Sequence, residues 1–290
     1  MSSATPRILV AEGNPKERCE MLIADGLSSG AEIYCDALKF LYPDAKIEIV
    51  YAADANGLLP AGAELAGYDG VVLGGSGLNI PGGEDDPRVQ RQIQFARKVF
   101  EAKVPFLGSC WGLQVAAVAA GGDVATSRRG REVAFARKIG LSMEGRGSQF
   151  FEGKTDVFDS PAIHYDEVTH LPSGSTILAA NSHCSIQAAT INHAGGTFWG
   201  VQYHPEFNLH HVAKLINCYV ESLIKEGFYA DIDAARQHAN LLQTLHQNSD
   251  REDLAWLLGL DQDVLDPRIR YQEIGNWVKR LVLPHMICWR

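Results

Sequence analysis

The sequence Val104-Pro-Phe-Leu-Gly-Ser-Cys-Trp-Gly-Leu-Gln114 decides the fold of this chain. It begins as a short apolar run, which predicts a buried strand, and it leads into an Ala-rich run at residues 113–120, which predicts a helix. Cys110 stands between Gly108 and Gly112, where the strand becomes the helix. This is the pattern of a nucleophile elbow, a sharp and strained turn that requires small residues on both sides of the nucleophile.

Cys110 is the candidate nucleophile. The helix predicted after it directs its first N–H groups and the positive end of its dipole toward the sulfur, which favours the thiolate. Free cysteines are also among the most buried residue types, so a structural thiol is the alternative interpretation of this residue alone. The six cysteines, at positions 19, 35, 110, 184, 218 and 288, form no Cys-x-x-Cys pair, which argues against a zinc framework and a disulfide scaffold.

The chain before the elbow alternates between strand patterns and helix patterns. Strand-like and helix-like runs follow one another at residues 8–11, 28–41, 46–51, 69–74 and 86–102. This order predicts βαβ units and a twisted parallel sheet. Active sites of such sheets lie beyond the carboxyl ends of the strands, so we expect the loops at residues 74–77 and 108–112 to lie side by side.

Beyond Gly121 the pattern changes to short β-like runs with turn residues between them. These runs, at residues 131–142, 166–171, 175–180 and 185–192, predict an antiparallel extension of the sheet. A glycine pair and an apolar strand then lead to His204-Pro205-Glu206, and a helix over residues 209–225 follows. We therefore predict one α/β domain over residues 1–228.

Residues 229–290 have a charged, helical composition in which Leu and Trp recur at amphipathic spacing. A segment of roughly 60 residues makes a marginal core by itself. We therefore predict a helical C-terminal extension that packs on the α/β domain or on a neighbouring subunit. This leaves a homo-oligomer formed through these helices open.

The overall composition argues against several classes of function. The chain has 290 residues, a hydrophobic fraction of 46% and a net charge of −9, without a basic cluster, so a nucleic-acid partner is not expected. Residues 1–7 are polar and too short for a signal peptide, and no apolar run approaches the length of a membrane span. These features predict a cytoplasmic protein without a membrane partner.

His204 is the candidate base that activates Cys110. A thiol becomes a strong nucleophile when a neighbouring base takes its proton or lowers its pKa. His204 follows an apolar strand of the same predicted sheet, and Glu206, stiffened by Pro205, is placed to orient the imidazole as the third member of a triad. Taken alone, these three residues are equally consistent with a turn that ends a strand, and the elbow favours the catalytic interpretation.

Acyl transfer also requires N–H donors for the negative charge that develops on the carbonyl oxygen. The N–H groups of Trp111 and of Gly75, within Gly74-Gly75-Ser76-Gly77, are the candidates for this oxyanion hole. Such a loop also occurs as a tight turn or a phosphate cradle, but the Lys-Ser/Thr of a P-loop and the acidic residue of a dinucleotide site are missing. The sequence predicts neither a metal nor a cofactor.

Together these segments resemble the class I, or triad, glutamine amidotransferases, especially their GMP-synthetase-like branch. The resemblance runs from about residue 7 to residue 226, and its motifs occur in the order of the family. Gly108–Gln114 is similar to the family's G-x-C-x-G-x-Q, Gly74-Gly75 to its glycine pair, and His204–Glu206 to its terminal H-P-E. Arg131–Val133 is similar to its R-E-I/V strand, and His164–Pro172 to its H-x-D-x-V-x-x-L-P.

The resemblance implies a flavodoxin-like parallel sheet sandwiched by helices, with an antiparallel extension, and a glutaminase reaction. In that reaction Cys110 attacks the γ-carbonyl of glutamine and His204, oriented by Glu206, protonates the departing ammonia. Water then releases glutamate from a thioester. The resemblance also assigns the binding of glutamine to Gly74, Gln114, His164, Tyr165 and Asp166.

Three departures from the family pattern leave the substrate open. Segment 14–43 is longer than in the minimal family domain, Ser76 stands where the branch often has proline, and no synthetase domain follows residue 228. One hypothesis is a domain that passes ammonia to a separate synthetase or acceptor subunit. The alternatives are a stand-alone γ-glutamyl peptidase or hydrolase, whose wider pocket segment 14–43 would line, and a catalytically silent regulatory protein.

Overall fold

The computed structural model describes residues 5–289, so the first four residues of the predicted domain and the last residue of the predicted extension lie outside the described residues. The strands are β1 (Arg7–Glu12), β2 (Lys46–Tyr51), β3 (Gly70–Leu73), β4 (Phe106–Ser109), β5 (Asp123–Thr126), β6 (Glu132–Leu141), β7 (Val157–His164), β8 (Asp166–His170), β9 (Ser175–Ala180), β10 (Ala188–His193) and β11 (Gly196–Val201). The longer helices are α1 (Lys16–Ala24), α2 (Gly30–Leu41), α3 (Pro87–Ala102) and α4 (Trp111–Ala119) before residue 120. The later helices are α5 (Met143–Gly147), α6 (Leu209–Cys218), α7 (Val220–Lys225), α8 (Ile232–Gln247), α9 (Glu252–Leu258), α10 (Gln262–Leu265), α11 (Pro267–Arg270), α12 (Gln272–Trp277) and α13 (Leu283–Trp289).

In the described part of the chain, the main sheet has nine strands in the order β2-β1-β3-β4-β11-β10-β9-β6-β7. The neighbours from β2 to β11 are parallel, and those from β11 to β7 are antiparallel. Helices α2, α12 and α13 share a hydrophobic cluster with one face of the parallel part, and α3 and α4 share a second cluster with the other face. The predicted flavodoxin-like sandwich with an antiparallel extension is confirmed.

The strand β1 shows why this architecture could be recognised from the sequence. Ile8 and Val10 belong to the cluster on one face of the sheet, and Leu9 and Ala11 belong to the cluster on the other. All four side chains are buried. A parallel strand covered by helices on both faces must be apolar at consecutive positions, and the sequence shows this feature directly.

One predicted strand of the antiparallel extension lies elsewhere. β8 pairs with β5 in a separate two-stranded sheet of the described chain, whereas β6, β9 and β10 join the main sheet. The strand that pairs with β6 at the sheet edge is β7. The sequence pattern does not predict β7, because Asp159, Ser160 and Pro161 interrupt its apolar run. Proline is tolerated there because β7 lies at the edge of the sheet.

Segment 14–43 forms two helices, of which the sequence predicts only the second. α2 begins with a capping box between Ser29 and Glu32 and has a clear apolar face. α1 buries only Cys19 and Leu22, so its sequence lacks the apolar stripe that marks an amphipathic helix.

The C-terminal helices pack on the α/β domain. Helices α8 and α9 share a hydrophobic cluster with α6, and the ring of Trp277 in α12 approaches Gly70 of β3 so closely that a Cβ there would lie 2.7 Å away. Glu273 is buried between the Lys154 ammonium, at 2.9 Å, and the Tyr203 hydroxyl, at 2.6 Å. The extension therefore contacts the residue that precedes His204. The boundary between residues 228 and 229 stays a prediction.

Residues 5–289 contain no helix that is both long enough and apolar enough to cross a membrane. Among the same residues, no cluster of three or more His, Cys, Asp or Glu side chains is arranged to hold a metal ion. The predicted cytoplasmic location stays a prediction.

Candidate active site

The elbow between β4 and α4 gives Cys110 a backbone conformation that non-glycine residues rarely adopt. Its φ is 50° and its ψ is −102°, and α4 begins at the next residue. A Cβ at Gly108 would lie 2.9 Å from the carbonyl carbon of Gly112, and a Cβ at Gly112 would overlap the carbonyl oxygen of Leu73. Close packing therefore requires both glycines that flank the cysteine, as the elbow pattern predicts.

The structure brings Cys110, His204 and Glu206 together in a row. The Nδ1 atom of His204 lies 2.7 Å from Oε1 of Glu206, and Cys110, whose thiol lies 3.9 Å from the Ile163 carbonyl oxygen, lines the same cavity as the His204 ring. All three residues are buried. They meet because β4 and β11 are adjacent parallel strands, and the segments that follow them therefore leave the same edge of the sheet.

The charges of the two neighbours decide the protonation of His204. Burial acts to lower the pKa of His204, but the negative charges of Glu206 and Cys110, and their hydrogen bonds to the ring, outweigh burial and raise the pKa to about 10. His204 is therefore an imidazolium at neutral pH.

Three residues that the sequence analysis does not single out support this row. The Ser109 hydroxyl donates to Oε1 of Glu206 at 2.8 Å, the same oxygen that contacts His204. The Phe207 ring stacks on the His204 ring, with centroids 4.0 Å apart and planes 2° apart. Tyr34 of α2 is fully buried, and burial, followed by the charge of Glu206, raises the pKa of its hydroxyl. Ser109 and Phe207 are sequence neighbours of the predicted residues, which is a usable signal, whereas the sequence carries no signal for Tyr34.

The glycine loop, residues 74–77, lies against His204. A Cβ on Gly75 would lie 2.7 Å from Cε1 of His204, so only glycine fits there. The Ser76 hydroxyl donates to the carbonyl oxygen of Gly13 at 2.8 Å, and the Gly77 N–H donates to Oδ1 of Asn14 at 2.8 Å. Hydrogen bonds to the loop after β1 thus hold the glycine loop in place.

Two buried side chains extend this support. Gln92 of α3 accepts a hydrogen bond from the Trp111 indole at 2.8 Å and donates to the Gly13 carbonyl at 3.1 Å. Glu12 accepts hydrogen bonds from the main chain and side chain of Asn14, at 2.8 and 2.9 Å, and burial raises its pKa. Trp111, which follows Cys110, and the glycine loop are therefore both held by hydrogen bonds to the loop after β1.

The predicted substrate-binding residues fall into two groups. Gln114, His164, Tyr165 and Asp166 line the cavity that contains Cys110. Gly74 does not line the described cavity but backs onto the Tyr34 ring, where a Cβ would lie 3.2 Å from two ring carbons.

Internal hydrogen bonds fix most of the lining group. The Gln114 amide donates to the Asp166 carbonyl at 2.9 Å. The His164 ring contacts the same carbonyl at 3.1 Å and the Glu132 carboxylate at 2.8 Å. Burial raises the pKa of Asp166, which accepts a hydrogen bond from Thr126. Tyr165 is 40% exposed and stands at the cavity rim.

The cavity over Cys110 has a volume of about 290 Å³, and two groups of its lining residues, called here the polar wall and the apolar wall, differ in chemistry. The polar wall carries Gln114 and residues 164–166. The apolar wall comes from α1, α2 and α6 and the loops beside them, and its members are Leu22, Leu27, Ile33, Phe207 and Leu215. Segment 14–43 therefore lines the pocket.

Comparison with known proteins identifies the family. A model of the family described as glutamine amidotransferase class-I matches residues 46–220. This chain belongs to the class I glutamine amidotransferases. The resemblance predicted from the motifs is thus confirmed.

Relatives of this chain include one protein named as a γ-glutamyl hydrolase and one named as a γ-glutamyl peptidase. The γ-glutamyl-L-1-hydroxyisopropylamide hydrolase of Pseudomonas sp. is 35% identical over 286 residues, which cover 96% of this chain and 94% of that protein. The γ-glutamyl peptidase 3 of Arabidopsis thaliana is 27% identical over 179 residues, which cover 61% of this chain and 70% of that protein. The family and these relatives place the chain among the hydrolases of the glutamine amidotransferase type.

The fold is also that of solved amidotransferases. The crystal structure of a glutamine amidotransferase from Thermotoga maritima matches with a TM-score of 0.65 and 17% identity, covering 96% of this chain and 99% of that one. At this level of identity the likeness shows the fold.

Cys110 differs from the other described thiols of this chain in its surroundings. Burial is the largest cause that raises the pKa of Cys19 to about 12 and that of Cys35 to about 11, and it also raises the pKa of Cys184 and Cys218. A thiol with a raised pKa is a poor nucleophile at neutral pH. Only Cys110, among the described cysteines, has an imidazolium beside it and a place in the cavity wall.

Proposed function

We propose that this chain hydrolyses γ-glutamyl conjugates whose leaving amine carries an apolar group. The observation that carries the proposal is the apolar wall formed by Leu22, Leu27 and Ile33, which shares one cavity with Cys110. The ammonia released from free glutamine has no apolar surface to place there. The similarity to the Pseudomonas γ-glutamyl-L-1-hydroxyisopropylamide hydrolase over 96% of this chain supports the same substrate class.

In the first half of the proposed reaction, the Cys110 thiolate attacks the γ-carbonyl carbon of the substrate. The negative charge on the carbonyl oxygen is stabilised by the N–H groups of Gly75 and Trp111. The His204 imidazolium gives its proton to the amide nitrogen as the C–N bond breaks, and Glu206 keeps the ring oriented. The amine leaves, and the γ-glutamyl group stays on the sulfur as a thioester.

In the second half, the neutral His204 ring takes a proton from a water molecule. The hydroxide adds to the thioester carbonyl, the C–S bond breaks, and the electron pair returns to sulfur as thiolate. Glutamate leaves, and His204 is again an imidazolium. Gln114 and residues 164–166 hold the α-amino and α-carboxylate groups throughout.

A panel of amides tests this proposal. Glutamine and γ-glutamyl-isobutylamide share the γ-glutamyl group and differ only in the leaving amine. We expect kcat/KM for the isobutylamide to be at least about 10-fold higher, because even one methylene in an apolar pocket changes kcat/KM by 10-fold or more. The initial rate of glutamate release gives kcat/KM for both amides. Rapid turnover of glutamine with the isobutylamide inert would overturn the proposal.

That opposite outcome would favour the second candidate, a glutaminase that passes ammonia to a separate acceptor subunit. The residues that match the glutamine-binding motifs, Gln114 and His164–Asp166, line the polar wall and are compatible with it. The two candidates share the triad and neither needs a cofactor, so only the leaving amine separates them.

Glu206→Gln tests the orienting carboxylate. We expect a loss of about 10- to 100-fold in kcat/KM, smaller than the loss from replacing Cys110 or His204, because an orienting group contributes less than the nucleophile. The pH profile should change as well. His204 keeps its proton up to a pKa of about 10 because Glu206 opposes the effect of burial. Without that charge the pKa falls, so the alkaline limb of kcat/KM should move to lower pH.

The control is Glu101→Gln, which removes an exposed carboxylate from α3. Glu101→Gln should leave the pH profile of kcat/KM unchanged. An alkaline limb unchanged in Glu206→Gln would contradict the assigned role.

A further inference from the structure

Two arginines line the cavity, and their partners differ. The Arg131 guanidinium makes a two-bond pair with the Glu226 carboxylate, at 3.0 and 3.1 Å. Arg18, on α1, donates to the Tyr219 hydroxyl at 2.8 Å, and within residues 5–289 no carboxylate pairs with it. Arg131 is therefore neutralised, whereas the positive charge of Arg18 is free to meet an anion in the cavity.

The two guanidinium groups lie beside the same tyrosine. Each has its central carbon 5.4 Å from the centroid of the Tyr219 ring. Arg131 also lies 5.1 Å from the centroid of Tyr165, which belongs to the polar wall. Arg18 instead comes from α1, which carries Leu22 of the apolar wall.

In the proposed reaction the leaving amine takes its proton from His204, whose ring adjoins Phe207 of the apolar wall. The Phe207 ring stacks on His204, and His211 of α6 stacks on Phe207, with centroids 5.9 Å apart. The same helix then presents Leu215 to the cavity and ends beside Tyr219, the partner of Arg18. Phe207, Leu215 and the partner of Arg18 therefore lie along α6 and its two flanks, in the cavity that contains His204.

We propose that Arg18 binds the carboxylate of the leaving group, so that the preferred substrates are γ-glutamyl amino acids with an apolar side chain. A guanidinium recognises a carboxylate by charge-assisted hydrogen bonds, and Leu22, Leu27 and Leu215 accept the side chain. This inference rests on the proposed function and narrows it, because it distinguishes an amino-acid amine from a neutral alkylamine.

The test uses γ-glutamyl-leucine and γ-glutamyl-leucinol, which differ only by a carboxylate in place of a hydroxymethyl group. We expect Arg18→Gln to lower kcat/KM for the leucine conjugate by about 10- to 100-fold, the range for losing a hydrogen bond between charged groups. The leucinol conjugate should change by less than about 3-fold, because it offers no charge to Arg18. Lys16→Gln is the matched control, since it removes one charge from an exposed side chain of the same helix, and it should change neither rate.

Two results would overturn the inference. Equal losses for both conjugates would mean that Arg18 contacts the α-carboxylate of the γ-glutamyl group, and equal rates in Arg18→Gln and the unmodified protein would mean that Arg18 contacts neither. Calorimetric binding of both conjugates to Cys110→Ala, with and without Arg18→Gln, separates this question from turnover. If γ-glutamyl-leucine binds in a manner that depends on Arg18 but the unmodified protein hydrolyses neither conjugate, the proposed function is wrong and the carboxylate subsite at Arg18 is retained. Binding that is indifferent to Arg18 would sink the subsite.

Discussion

Replacing Cys110 by alanine is expected to reduce glutamate release from every γ-glutamyl substrate by at least about 10⁴-fold. In the proposed mechanism the Cys110 thiolate forms the covalent intermediate, and no other described thiol lines the cavity. The fold should be retained, because alanine tolerates the same neighbours and the glycines that shape the elbow remain. Initial rates and the midpoint of thermal unfolding, measured on the same preparation, check both expectations.

Cys110→Ser sharpens this test, because it keeps the shape of the side chain and removes the thiolate. A serine hydroxyl beside His204 is not ionised at neutral pH, so the rate should fall nearly as far. A near-normal rate in Cys110→Ser would contradict the thiolate mechanism. Cys35→Ser, at a partly buried position outside the cavity, is the matched control and should keep full activity.

Labelling distinguishes the same mechanism from the silent alternative. A chloroketone analogue of glutamine should alkylate Cys110, and mass mapping should find the adduct on that residue. Absence of an adduct at Cys110, in a protein that also lacks turnover, would favour a regulatory role.

Gly75→Ala is expected to lower kcat by about 10²- to 10³-fold, the loss typical of removing one oxyanion-hole donor. The added methyl group would lie 2.7 Å from Cε1 of His204, so either the ring or the glycine loop must shift. Either shift separates the imidazole from the sulfur or turns the Gly75 N–H away from the oxyanion. The φ of Gly75 is not in the left-handed region, so the effect would be one of contact and not of backbone strain.

Gly77→Ala is the control within the same loop. A Cβ there would meet its nearest neighbours at 3.6 Å or more, which is ordinary van der Waals contact, and its φ is not in the left-handed region either. The nearest of these neighbours is Nε of Arg18, so the control is measured with glutamine, which has no leaving-group carboxylate, and we expect kcat within about 3-fold of the unmodified protein. Equal losses in Gly75→Ala and Gly77→Ala would show that the loop as a whole is sensitive, and the specific contact with His204 would be disproved.

The sequence by itself determined the parallel part of the sheet and indicated the three side chains of the candidate triad. Consecutive apolar residues such as Leu9 and Val10 indicated strands covered on both faces, and the glycines around Cys110 indicated a turn with no room for a Cβ. These are local rules, in which each residue responds to its own backbone and its immediate neighbours. The family motifs added the order in which the parts occur, and the placement of Cys110 beside His204 then followed from parallel strands that end at one edge.

Only the tertiary structure decided what surrounds that row. Nothing local in the sequence places Tyr34 against Glu206, or Glu273 against Tyr203, because these pairs are far apart in the chain and meet only when helices pack on the sheet. The same holds for Arg18, whose weakly amphipathic helix carries no pattern that points to a cavity. Short motifs therefore indicate the candidate nucleophile. The cavity lining that we propose to select the leaving amine arises from long-range packing, and such contacts leave no local periodicity in the sequence.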